Sequence, residues 1–138
     1  MSGSPQAAPI ATSESSSDLP QSWGVVLYPG FDLLDVAGPM EYLNSLALHY
    51  PTRLSIIAKS LDPVSTEITR PDVLPGIGQR WLPTHTFADA PPLDALLVPG
   101  GYGSRIEGNQ QEIGEFLNKT YPVRHSFASA KRHSYGSA

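Results

Sequence analysis

The chain has 138 residues, 40% of them hydrophobic, with 9 Lys and Arg against 13 Asp and Glu for a formal net charge of −4, and it contains no cysteine. That length and balance fit one globular domain, no run nears the roughly 18 consecutive apolar residues of a membrane span, and the acidic charge gives nucleic acid no footing as a partner. Without cysteine there is neither a disulfide framework nor a thiolate nucleophile in these residues.

Residues 1–22, MSGSPQAAPIATSESSSDLPQS, are Ser, Pro and Ala with one Ile and one Leu. They offer too little apolar surface to offset the entropy of ordering, so a disordered leader is expected. Glu14 and Asp18, with no Lys or Arg before Arg53, do not fit a signal peptide or a mitochondrial presequence, and the expected compartment is the cytoplasm. From Trp23 the texture changes. WGVVLYPG, residues 23–30, is a short apolar run stopped by Pro29 and Gly30, which suits a strand buried on both faces of a parallel sheet. A helix follows, with Pro39 expected in its first turn and Met40, Leu43, Leu46, Ala47 and Tyr50 on one side, ended by Pro51. RLSIIAKS, residues 53–60, reads as a second strand. Residues 62–83, broken by Pro63, Pro71, Pro75, Pro83, Gly76 and Gly78, suit short extended pieces and turns.

LDALLVPGG, residues 93–101, repeats the pattern of an apolar run ending in glycine, and the loop goes on to Tyr102 and Gly103. A last helix is expected, capped by Asn109 with Glu112 reaching back, and with Ile113, Phe116, Leu117 and Tyr121 on one face. Alternating strands and helices argue for a parallel sheet covered by helices, whose ligands bind beyond the carboxyl ends of the strands. Gly30 and Gly100–Gly103 sit at such ends. Their bland role is a tight turn, which glycine serves anywhere; their sharper role is to let a main-chain N–H face a ligand at short range. Neither G-x-G-x-x-G nor Walker spacing is present, so dinucleotides and phosphates are disfavoured. Tyr28, Tyr102 and His85 are candidate pocket residues, with Tyr102 named as a ligand contact. His49, His85, His125 and His133 are scattered without ligand spacing, so no metal and no cofactor are expected.

Two motifs carry a resemblance. YPGFDLLDVAGPMEYL at 28–43 and LLVPGGYG at 96–103, joined by THTFADAPPLDA at 84–95, resemble the superfamily of the PfpI protease, the Parkinson-disease deglycase and the class I glutamine amidotransferases, nearest its isonitrile-hydratase-like branch. The resemblance runs from about Trp23 to Tyr121. It implies a flavodoxin-like α/β sandwich with a mostly parallel sheet, incomplete at its carboxyl end, commonly a homodimer acting on a small molecule. It also implies a cysteine nucleophile with a buried acid beside it, matched here by Asp35, and oxyanion amides matched by Gly100 and Gly101. The family chemistry is that of a hydratase or lyase, or of an amidase-like hydrolase.

Here the pattern breaks, because where the family places a Cys-Thr-Gly turn this chain reads TYPVRHSFASAKRHSYGSA, with Ala130 and Lys131 near the expected turn. Three segments are therefore expected: a leader over 1–22, a partial PfpI-like domain over 23–122 and a basic tail over 123–138. The readings left open are a truncated hydratase-like enzyme inactive alone, a non-catalytic binding or regulatory dimer module, and a product without function.

Overall fold

The strand Ser22–Val26 (β1) is central to the sheet, and the computed structural model that shows this describes Gly3, Pro5 and residues 19–121. The tail assigned to 123–138 and most of the leader lie outside the described residues. On one side β1 runs parallel to Arg53–Ala58 (β2), in register from Ser22 with Arg53 to Val26 with Ile57. On its other side runs Ala95–Leu97 (the sixth strand), also parallel, from Trp23 with Ala95 to Val25 with Leu97. Parallel strands in such a sheet are covered on both faces, which is why Val25, Val26, Leu27 and Tyr28 form an unbroken apolar run and are all buried.

The helix Leu33–Ala47 (α1) leads from β1 to β2. It begins earlier than the sequence suggests: Pro39 lies in its second turn, where it has no N–H to give to the Asp35 carbonyl. The start is fixed upstream by Tyr28-Pro29-Gly30-Phe31, where the Phe31 N–H donates to the Tyr28 carbonyl at 3.2 Å and Gly30 has φ +78°. Proline followed by a positive-φ glycine across such a bond is the pattern of a type II turn. The buried stripe is Val36 and Met40, four residues apart, whereas Ala47 and Tyr50 are exposed, so the expected apolar face is shifted toward the amino end.

Val64–Ser65 (β3) and Arg80–Trp81 (β4) make a two-stranded antiparallel ribbon, pairing Val64 with Trp81 and Ser65 with Arg80. His85–Thr86 (β5) then adds to the free edge of β2. Two residues carry no periodicity, so this strand is not visible in the sequence. With Ala95–Leu97 as β6, the sheet order is β5-β2-β1-β6, all parallel. The chain thus fills one side of β1 with β2 and β5 and then returns to the other with β6, so the order reverses at β1, the switch point of a doubly wound α/β sheet.

The helix Glu107–Thr120 (α2) buries Ile113 and Phe116, and the Phe116 ring lies 5.0 Å from that of Phe87. Asn109 is not its cap. Ile106 holds that position without a side-chain cap, Asn109 sits in the first turn, and Glu112 pairs with Lys59. The Asn109 amide instead donates to the Gly103 carbonyl at 2.9 Å, in the turn that precedes the helix.

The amino end of β1 is held by Asp94, whose carboxylate accepts the N–H groups of Gln21 and Ser22 at 2.9 Å each. Ser22, placed in the leader by composition, is therefore part of the sheet. The Ser22 N–H, then that of Gln21, hold the Asp94 carboxyl below its usual range, aided by Arg53 and opposed by desolvation. A depressed folded pKa gives stabilisation that is fully present above the unfolded value of about 3.9 and is lost below it, as pH falls through the lower folded pKa. Thermal melts between pH 7 and pH 3 will show Asp94→Asn less stable than the parent at neutral pH, with the gap closing below about pH 4. A gap that stays constant over that range would remove Asp94 from the acid response.

Candidate functional site

The return of the chain from one side of β1 to the other leaves the carboxyl ends of β1 and β6 side by side, and the loops 27–32 and 98–106 meet there. They are joined backbone to backbone. The Asp32 N–H donates to the Gly100 carbonyl at 2.8 Å and the Gly103 N–H to the Gly30 carbonyl at 3.0 Å. Tyr28, buried, gives its hydroxyl hydrogen to the Pro99 carbonyl at 2.6 Å. Tyr28 thus packs into the frame that joins the two loops, the commoner role of an aromatic at a strand end. His85 lies on β5, its Nδ1 2.9 Å from the Thr84 hydroxyl.

The glycines answer to this contact. A Cβ on Gly103 would stand 1.8 Å from the Pro29 carbonyl oxygen, and one on Gly101 would stand 2.5 Å from the Gly30 oxygen and 2.7 Å from the Asp32 nitrogen. Gly101 also has φ +139°, a conformation that side chains rarely adopt. What a side chain on either glycine would meet is the backbone of the opposite loop.

Asp35 sits in the first turn of α1, where the positive helix end favours a carboxylate. Its Oδ2 accepts the Gly100 N–H at 2.9 Å. The tertiary structure therefore brings Asp35 and Gly100 into direct contact, and with them Gly101 and Tyr102. Two features differ from what the resemblance implies. Asp35 is exposed, so the described residues do not bury it. The Gly100 N–H is engaged by Asp35, whereas no acceptor for the Gly101 N–H is found among the described residues.

Tyr102 opens a short 3₁₀ turn, Tyr102–Arg105, and the Arg70 guanidinium lies over its ring, 4.9 Å from the centroid. Sequence reading misses Arg70 altogether, since it stands in a Pro- and Gly-rich connection with no periodicity to place it. Asn109 is equally hidden in its bond to Gly103. No group of His, Cys, Asp and Glu fit to hold a metal is found among the described residues, and none of their helices is long and apolar enough to cross a membrane.

Comparison with known proteins gives three findings. The chain is 35% identical over 80 residues to the isonitrile hydratase of Pseudomonas putida, an overlap of 58% of this chain and 30% of that protein. A DJ-1 superfamily protein from Agrobacterium tumefaciens superposes with a TM-score of 0.50 at 18% identity, covering 72% of this chain and 47% of that one, a likeness of fold. A ThiJ/PfpI family protein from Pseudomonas syringae is 30% identical with a TM-score of 0.48, covering 74% of this chain and 38% of that one. No protein-family model matches the chain. It spans less than a third of the length of the curated relative.

Proposed function

Because the chain belongs to the PfpI/DJ-1 superfamily, we propose that its 27–32 and 98–106 loops form the acid-and-amide half of a site that adds water to a small carbon-nitrogen compound of the isonitrile class. The observation that supports this is the Gly100–Asp35 bond at 2.9 Å beside the Gly101 N–H. It joins a carboxyl group and main-chain N–H groups at the carboxyl ends of two adjacent strands.

In this chemistry a thiolate adds to the terminal carbon of R–N≡C, forming a C–S bond, and an acid supplies a proton to that carbon. Water then adds to the resulting thioimidate and the thiol departs, leaving the formamide R–NH–CHO with one water gained overall. Asp35 is the proton carrier. The Gly101 amide, with Gly100 once Asp35 turns away, faces the charge that develops when water adds; one such donor is worth about 3 kcal/mol of barrier. Tyr102 borders the ligand. The thiolate is not among these residues, since the chain has no cysteine, so the 138 residues bind without turning over.

That absence, together with the exposure of Asp35, favours a second reading: a binding or regulatory module without chemistry. Both readings include a homodimer in the cytoplasm, for which the exposed Leu34, Tyr42 and Leu48 along α1 offer a surface. Titration of the ¹⁵N-labelled chain with cyclohexyl isonitrile, with sedimentation of the same sample, tests them. The Gly100 and Gly101 amide signals should shift, the Asp35→Asn variant should alter that response, and no formamide should accumulate. Unmoved amides would remove the isonitrile reading, and formamide formation unaffected by Asp35→Asn would remove the role given to Asp35.

A further inference from the structure

The β3–β4 hairpin meets the candidate site at Gly30 and, through its connection, at Tyr102. Its base is closed by the Thr66 N–H on the Gln79 carbonyl and the Gln79 N–H on the Thr66 hydroxyl, each at 2.9 Å, and is fastened to the site loop by the Gly30 N–H on the Ser65 carbonyl at 2.8 Å. Beyond that base, residues 67–78 carry Ile68, Val73, Leu74 and Ile77 exposed, a stretch far longer than the usual hairpin loop of about 2–5 residues. Long ordered loops of this kind are commonly part of a site. This one returns to the site through Arg70, whose guanidinium covers Tyr102, the residue after Gly101.

We infer that Arg70 is a specificity-determining residue of this site, selecting carbon-nitrogen compounds that also carry a carboxylate, and that Asp72 occupies the place of that carboxylate until the ligand arrives. The inference rests on the function proposed above. Arg70 gives Nε and Nη2 to the two oxygens of Asp72, side by side, the fork by which arginine recognises a planar carboxylate. Asp72 is only two residues away and its side chain is 62% exposed, so the pair is open to water and salt, and a carboxylate held elsewhere on the site can displace it. Arg70 keeps its charge, reinforced by Asp72 and then by Tyr102. Its stacking on Tyr102 sets the direction of the fork. A ligand whose isonitrile end lies at Gly101 and Asp35 extends its other end past Tyr102 to this fork.

The same amide titration tests this with three probes: isocyanoacetate, its methyl ester and acetate, read at Gly101 and Tyr102. Wild-type chain is expected to bind the acid about tenfold tighter than the ester, as a charged bidentate contact allows. Asp72→Asn should tighten the acid roughly threefold to tenfold and leave the ester unchanged. Arg70→Gln should erase the difference between acid and ester, and Arg70→Lys, which keeps the charge without the fork, should restore only part of it. Equal binding of acid and ester by wild type, or an equal effect of Asp72→Asn on both, overturns the role of Arg70 and leaves the isonitrile reading standing. A response to acetate alone overturns the isonitrile reading and keeps the carboxylate subsite. No response to any probe overturns both. Should Arg70→Gln lose its dispersed spectrum, the Asp72→Asn comparison decides, because it leaves Arg70 on Tyr102.

Discussion

Gly103→Ala will destabilise the chain by about 3 kcal/mol or more, the upper end of what a misplaced methyl costs in a packed interior. The added Cβ would stand 1.8 Å from the Pro29 carbonyl oxygen and 2.9 Å from the Pro29 carbonyl carbon. These are backbone atoms that cannot rotate away, so relief requires the two loops to separate, with loss of the Gly103–Gly30 bond. For a domain of this size such a loss lowers Tm by roughly 15 °C. Gly114→Ala is the matched control, since a Cβ there meets nothing within 4 Å in the middle of α2. It should raise stability by about 0.5–1 kcal/mol through helix propensity. Comparable melting of the two variants would show that the loops are not in contact.

Phe31→Ala will cost about 3–5 kcal/mol, the range for emptying a large aromatic site in a core. Phe31 is 2% exposed and meets the edge of Trp81 with ring centroids 6.3 Å apart at 82°. Edge-to-face pairs of this kind add about 0.5–1.5 kcal/mol to area burial. The effect reaches the site because Phe31 lies between Gly30 and Asp32, the two residues bonded to the glycine loop. Trp81, in turn, belongs to the ribbon that carries Arg70 over Tyr102. In a Trp23→Phe background, Trp81 emission should move to longer wavelength in Phe31→Ala, and Phe31→Leu should give a smaller loss of both stability and shift. Denaturant unfolding that places Phe31→Ala within about 1 kcal/mol of the parent would contradict the packing.

Much of the site's location is legible along the chain, because strands that end in glycine put their loops on one rim of a parallel sheet. Asp35 follows the first such end and Gly100 terminates the other. Local pattern does not extend to the use made of each group. Asn109 looks like a cap because an amide three residues before a glutamate fits one, yet its amide is drawn to the Gly103 carbonyl. Asp35 carries no mark in the sequence that distinguishes an exposed carboxylate from a buried one. Arg70 gives no signal at all, since its partner Tyr102 lies 32 positions away in sequence.

The amino-acid sequence by itself determined the apolar runs, their termination at Pro29-Gly30 and Pro99-Gly100, and the absence of any sulfur nucleophile. These are properties of composition and short-range order, set by burial and by the freedom of glycine within a few residues. Only the tertiary structure decided that Gly101 and Gly103 accommodate the opposing loop, that Asp35 takes the Gly100 amide, and that Arg70 reaches Tyr102. Each of those depends on which side of β1 the chain returns to, and that choice is made by long-range packing and pairing that no local pattern records.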